Sequence, residues 1–382
     1  MKYLSTIISI LLAIGQGYAQ NIEGNYQYRV GDEVRKQIVA YEATMIEPKD
    51  SVWNLLELEE LGTRRRVTYL PVYEKTEEFV SSVEKNTRYY FEQRNDSLLF
   101  WGSENNLTKE VYDRPIMQLH TPLVLGNQYN GLFHGRMSYC ERIFSRVYGS
   151  WSLSVDAKGM LLMPEGDTLN NVHLVHLHTV KVSIPYSHIS TQEELKTYVD
   201  SIAPYTTDSI LIGLQDSMRH EVTDIYRWYA PGYRYPVLEM VNRKQKGKTS
   251  QQEAFYLSPA VQETLDDAEN ELLRQQLANM QKEVGGSAPS SMIADGDNPS
   301  PVSRCDVSVV GQTIKVNFDL NEDATVKGFV CDVLGMVLRQ ESHHYAAGSD
   351  CELTLDCAGL RSGSYVLYLN CNGVVVSHTV NL

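Results

Sequence analysis

From Asn21 to about Pro185 the chain alternates short runs of apolar and polar residues with turn signals, the period-two pattern of half-buried strands. Trp151, Leu153 and Val155 share one face, with Ser152, Ser154 and Asp156 on the other. Asp156-Ala157-Lys158-Gly159 reads as a turn, and Pro164-Glu165-Gly166-Asp167 as a second. Val172, Leu174, Val180 and Val182 alternate along the following run. Arg88–Phe91 and Leu98–Trp101 predict a hairpin around Arg94-Asn95-Asp96. Helical periodicity is mostly absent. The expected fold is mainly β, with a jelly-roll-like β-sandwich occupying residues 20–258.

Beyond Ser190 the pattern is mixed. Thr191–Ser201 predicts a short helix, with Ser190 as N-cap and Glu193 completing a capping box. Asp224–Val241 is aromatic and extended, broken by a turn at Pro231-Gly232. Ser258-Pro259 opens one long helix over 259–284, because proline suits the first helical position. Val261, Leu265, Ala268, Leu272, Leu273, Leu277 and Met280 form its apolar stripe, and Gly285-Gly286 ends it. Residues 285–304 are a linker by composition, rich in Gly, Ser and Pro. From 305 to 382 the chain alternates again, through Ile314, Val316, Phe318 and Leu320, then Tyr365, Leu367, Leu369 and Cys371. This block predicts a second, smaller β-sandwich.

The N-terminus adds an address. Lys2, the apolar run Ile7–Ile14 and Gly17-Tyr18-Ala19 compose a secretory signal over 1–19, cleaved between Ala19 and Gln20. No cysteine follows that boundary to carry a lipid, and no later segment is apolar for long enough to form a transmembrane helix. Lys and Arg total 34 against 48 Asp and Glu, a net charge of −14 at pH 7. That balance argues against nucleic acid or an anionic membrane surface as partner, since both select clustered cations.

Two stretches of the C-terminal block carry a resemblance. Cys331-Asp332-Val333-Leu334-Gly335-Met336-Val337 and Leu360–Leu369 with Asn372-Gly373 are similar to the turn and closing hairpin of the type IX secretion system C-terminal sorting domain. Asn298-Pro299 echoes the segment that often opens such domains. The chain departs from the family in Arg361, where proline is usual, in its non-basic end Thr379-Val380-Asn381-Leu382, and in its five cysteines. The resemblance implies an immunoglobulin-like sandwich that outer-membrane export machinery reads as an address. It places the protein at the cell surface or in the medium, or in the periplasm if the block keeps only the fold. The N-terminal region resembles secreted proteins that carry such tails, through Val30-Gly31-Asp32, Ser51–Leu55, Ser150–Val172 and Tyr226–Pro236. That likeness brings no activity with it.

Candidate chemistry is sparse. His176 and His178 alternate on one strand face, a spacing at which two imidazoles can share a metal, although no third ligand is nominated. Glu165 with Asp167, or Glu57, Glu59 and Glu60, offer carboxylate pairs of the glycosidase kind, equally explained by acid-rich turns. No nucleophile elbow, zinc-protease helix, phosphate loop or Cys-x-x-Cys motif is present, nothing in the sequence supports a catalytic Cys140, and no cofactor is implied. The six cysteines, 140, 305, 331, 351, 357 and 371, allow disulfides without fixing a connectivity. Tyr226, Trp228, Tyr229, Tyr233 and Tyr235, interleaved with Arg227 and Arg234, make the best candidate platform for a glycan or peptide, against a packed aromatic turn. Six Asp-Ser/Thr-apolar triplets, among them Asp96-Ser97-Leu98 and Asp208-Ser209-Ile210, resemble bacterial O-glycosylation acceptors. The reading that follows is an exported, non-enzymatic protein, with a carbohydrate-binding module or carbohydrate-active enzyme as the alternative.

Overall fold

The structure is a computed structural model describing residues 24–46, 52–55, 58–73, 75–164, 168–186, 189, 191, 193–195, 205–284, 302–331, 337–371 and 374–382. The expected signal segment over 1–19 with its expected Ala19-Gln20 cleavage, Glu57, the expected turn at Glu165–Asp167, and residues 285–301 and 332–336 lie outside the described residues.

The N-terminal region is a closed barrel. Its strands are β1 (Glu33–Val39), β3 (Glu60–Pro71), β4 (Phe79–Glu84), β5 (Thr87–Arg94), β6 (Ser97–Glu104), β7 (Thr108–His120), β8 (Gln128–Tyr139), β9 (Ile143–Leu162), β10 (Thr168–Pro185), β11 (Glu221–Tyr229), β12 (Leu238–Gln245) and β13 (Lys248–Tyr256). They pair antiparallel in that order, and β13 pairs back onto β1 to close a ring of 12. The short β2 (Val52–Asn54) stands outside the ring, parallel to β9. This overturns the jelly-roll-like sandwich. Alternation at period two reports that one strand face is buried, and it is the same whether the buried face meets a second sheet or the inside of a ring. The expected turn at Asp156–Gly159 is also absent. There β9 runs on for 20 residues, paired with β10 from Ser145↔Pro185 to Leu162↔Thr168, so ladder hydrogen bonds override the local turn propensity. The hairpin at Asn95-Asp96 does form, with Arg94 opposite Ser97 and Asn95 at φ 46°.

The barrel is filled rather than hollow. Phe91, Leu98, Tyr112, Ile116, Phe133, Val147, Leu153, Leu177 and Tyr229, drawn from β5 round to β11, form one buried cluster inside it. Val34, Val67, Tyr69, Val80, Tyr235 and Leu257 form another. Ions are enclosed among them. Arg227 Nε donates to Glu239 Oε2 at 2.7 Å, Lys36 Nζ lies 3.2 Å from Glu239 Oε1, and both terminal nitrogens of Arg227 reach Gln118 on β7 at 3.3 Å. Burial opposes these charges, but mutual attraction prevails: Glu239 is held down at about 2, and Lys36 and Arg227 are raised.

At the register shift between β6 and β7, Gly102 adopts φ +127°, and a Cβ there would sit 2.1 Å from the Glu110 carbonyl oxygen. Gly102→Ala is therefore expected to lower stability by about 2 kcal/mol, measured as a reduced urea midpoint at unchanged m-value.

The outer face of β9 to β13 is covered. Trp53 on β2, Leu55 and the partly buried Tyr41, Met45 and Ile46 pack over Leu174, Trp228, Leu238, Met240 and Tyr256. Helices close one end. The single long helix expected over 259–284 is two, α2 (Pro259–Glu263) and α3 (Ala268–Val284), after a separate short α1 (Thr207–Gly213). Ser258 caps α2 as expected, accepting from Val261 N. The break follows because Thr264 Oγ1 donates to the Val261 carbonyl and Asp267 starts a new helix, its Oδ1 3.5 Å from Asn270 N. Asp267 also holds Arg234 in a two-pronged pair at 2.8 Å, and Arg234 Nη1 reaches the Gln27 carbonyl at 2.7 Å. Leu273 is the buried side of α3, while Leu272 is exposed, so the expected stripe is only partly used. Of the Thr191–Ser201 helix, residues 193–195 are described and helical, and the box closes between Thr191 and Glu194, one position later than expected.

The C-terminal block contains β14 (Val302–Val310), β15 (Thr313–Leu320), β16 (Ala324–Cys331), β17 (Val337–Tyr345), β18 (Gly348–Asp356), β19 (Ser364–Cys371) and β20 (Val374–Asn381). They form two sheets, β14-β15-β18 and β17-β16-β19-β20, closed on a core of Ile314, Val316, Phe318, Val326, Leu353, Leu355, Leu367 and Leu369. Cys305, Cys357 and Cys371 are buried in that core, whereas Cys140 is exposed on the barrel. Burial pushes the Cys305 thiol up to about 11 and that of Cys371 up to about 12. The other face of the second sheet, at Phe329, Cys331 and Tyr368, meets Met160 and Leu162 of the barrel, and the Tyr368 hydroxyl lies 3.1 Å from Thr168 Oγ1.

Candidate functional site

Four of the five residues proposed from sequence as a binding platform are withdrawn from solvent. Trp228 and Tyr235 are fully buried, Tyr229 and Tyr233 nearly so, and Tyr226 is half-buried. Tyr235 stacks on Tyr69 with centroids 4.7 Å apart and donates its hydroxyl to Asp32 Oδ2 at 2.9 Å. Arg227 and Arg234 are locked in the interior ion pairs already described. The aromatic turn is packing. Glu59 and Glu60 are exposed.

The histidines are different. Pairing of β10 with β11 sets His176 opposite Tyr226 and His178 opposite Asp224. Their sequence neighbours Val175, Leu177 and Ile225 pack inside the barrel, so these four side chains stand on its outer wall. Asp224 Oδ1 accepts from His178 Nδ1 at 2.7 Å and from His176 Nε2 at 3.1 Å. The second nitrogen of His176, Nδ1, lies 3.4 Å from Asp156 Oδ2. Asp156 reaches this position because it is the extra residue of a β-bulge, between the pairs Val155↔Val175 and Ala157↔Leu174. The Tyr226 ring stacks on His176 at 4.2 Å and 11°.

Exposure grades outward from Asp224 at 13% through His176 at 22% to His178 at 39%. Burial opposes charge on His176, but hydrogen bonds to Asp156 and Asp224, with their charges, raise it to about 9. Burial likewise works against the Asp224 carboxylate, and the two imidazoles nevertheless hold it well below the usual range. Burial, then the Asp224 charge, pushes Tyr226 up to about 12. His178 lines a groove of about 420 Å³ with Asn130, Leu132, Ser150, Ser152 and Leu211 of α1.

One nitrogen from each imidazole and one carboxylate oxygen thus converge within 4.8 Å of one another. Such a set can share protons or accept a cation. Sequence reading found both histidines and missed the third member, 46 residues from His178. The alternation Asp224-Ile225-Tyr226 was its only trace, and choosing it needed the β10–β11 register. No protein-family model and no curated protein matches the chain.

Proposed function

We propose that this chain is an exported, non-enzymatic protein: the barrel is a solid scaffold presented outside the cell, and the C-terminal two-sheet domain is the address that takes it there. The observation that carries this reading is the domain's own core. Val316, Phe318, Leu355, Leu367 and Leu369 close on one another without barrel residues, as a transferable module requires. The segment Leu360–Leu369, which bears the sorting-domain resemblance, leads into β19, a central strand of the larger sheet. The barrel's packing supports a scaffold role. Transmembrane barrels turn apolar side chains outward and polar ones inward, whereas here Phe91, Leu98, Phe133, Leu153 and Leu177 point in.

Removal of residues 306–382 is expected to leave the protein in the periplasm of a host that carries type IX export machinery. Fractionation with surface proteolysis checks this, with periplasmic protease resistance reporting that the truncated barrel has folded. Unchanged export of the truncated chain would refute the address.

A further inference from the structure

We propose that His176, His178 and Asp224 form a binding site for one divalent first-row transition-metal ion on the outer wall of the barrel. The site goes beyond the export reading and does not depend on it.

Four observations converge. The three donors come from two hydrogen-bonded strands, so their spacing is set by a β-ladder rather than by a loop. Asp224 Oδ1 already lies 2.7 and 3.1 Å from the two ring nitrogens, close to the ~3.4 Å that separates ligands around a tetrahedral ion with bonds of about 2.1 Å. His176 presents Nε2 to the site and Nδ1 to Asp156, the arrangement in which a carboxylate behind a ligating imidazole fixes its ring and strengthens it as a donor. The Tyr226 ring, lying flat on His176, restricts rotation of that plane.

The donor set selects the ion. Two imidazoles with one carboxylate suit zinc and its neighbours, whereas calcium and magnesium take oxygen donors almost exclusively. Three protein ligands leave a fourth position for water or a small ligand. The groove lined by His178, Ser150 and Ser152 is the adjoining space that could supply it.

The full chain, stripped with chelator and refilled separately with Zn²⁺ and Co²⁺, tests the site. Calorimetry with Zn²⁺ should show saturable uptake of one ion, and Co²⁺ should give the visible bands of a four- or five-coordinate centre. His178→Ala and Asp224→Asn should abolish both signals. Asp156→Asn should keep the stoichiometry and weaken binding about 10–100-fold, as loss of a supporting carboxylate does. Near-UV circular dichroism identifies folded variants, and His178→Gln, at the most exposed ligand, replaces any that misfold. Absence of saturable Zn²⁺ uptake and of Co²⁺ bands in the folded wild type would overturn the proposal. So would undiminished uptake in a folded His178 variant, leaving the cluster as an ion-pair clasp between strands.

Discussion

Replacing Glu239 by alanine is expected to destabilise the barrel by about 3–5 kcal/mol, the loss that follows when one partner of a buried ion cluster is removed. Among the described residues Glu239 is the one carboxylate paired with both Arg227 and Lys36, and it holds them at once. Without it two cations remain in the filled interior, and among the described residues the Gln118 amide oxygen is left to receive Arg227. Urea unfolding of wild type and Glu239→Ala measures the difference, and a change below about 1 kcal/mol would mean that water reaches the cluster and screens it.

The same group sets an acid limit. Its carboxyl is held at about 2 against an ordinary 4.5, so the native state prefers the ionised form more strongly than the unfolded chain does. The stability it contributes is fully present above pH 4.5, and is lost as pH falls from 4.5 through about 2. The urea midpoint of the wild type should therefore drop across that window, and Glu239→Gln should flatten the drop. An equal acid slope in the variant would assign it to other carboxylates, Asp267 beside Arg234 being the first to examine, since it too is held at about 2.

Trp228→Ala is expected to cost about 3–5 kcal/mol, the range for truncating a large buried aromatic. Trp228 is 0% exposed, packs edge-on against Trp53 at 6.1 Å, and joins the cover of β2 to the barrel wall. Its indole Nε1 makes no hydrogen bond among the described residues, so Trp228→Phe loses volume but no polar contact and should be much milder. Both changes are read by thermal or urea unfolding. A stable, folded Trp228→Ala that loses binding to a glycan array would restore the platform reading that the burial of this ring argues against.

Much of the fold's vocabulary was legible in the chain. The strands of both regions follow period-two runs, and Ser258-Pro259 starts a helix because the hydroxyl and the fixed proline φ suit that position whatever surrounds them. Asn95 makes its hairpin because its backbone tolerates positive φ. The failures share a cause. Asp156–Gly159 has turn-forming residues, but the long β9–β10 ladder running through them outweighs them. Thr264–Asp267 suits a continuous helix until Arg234, thirty-three residues away, claims Asp267. Tyr226–Tyr235 looks like a platform because aromatic and arginine side chains serve binding and packing equally well.

By itself, then, the sequence determined where strands run, which of their residues share a face, and that His176 and His178 share one. Those are consequences of backbone pleating and local propensity, which act over a few residues. Only the tertiary structure decided that the strands close into a ring and that the ring is solid. It alone buried Trp228, Tyr229, Tyr233 and Tyr235 and set Asp224 and Asp156 around the two histidines. Each of these depends on strand register between segments tens of residues apart, and a one-residue slip would turn every one of those side chains to the opposite wall.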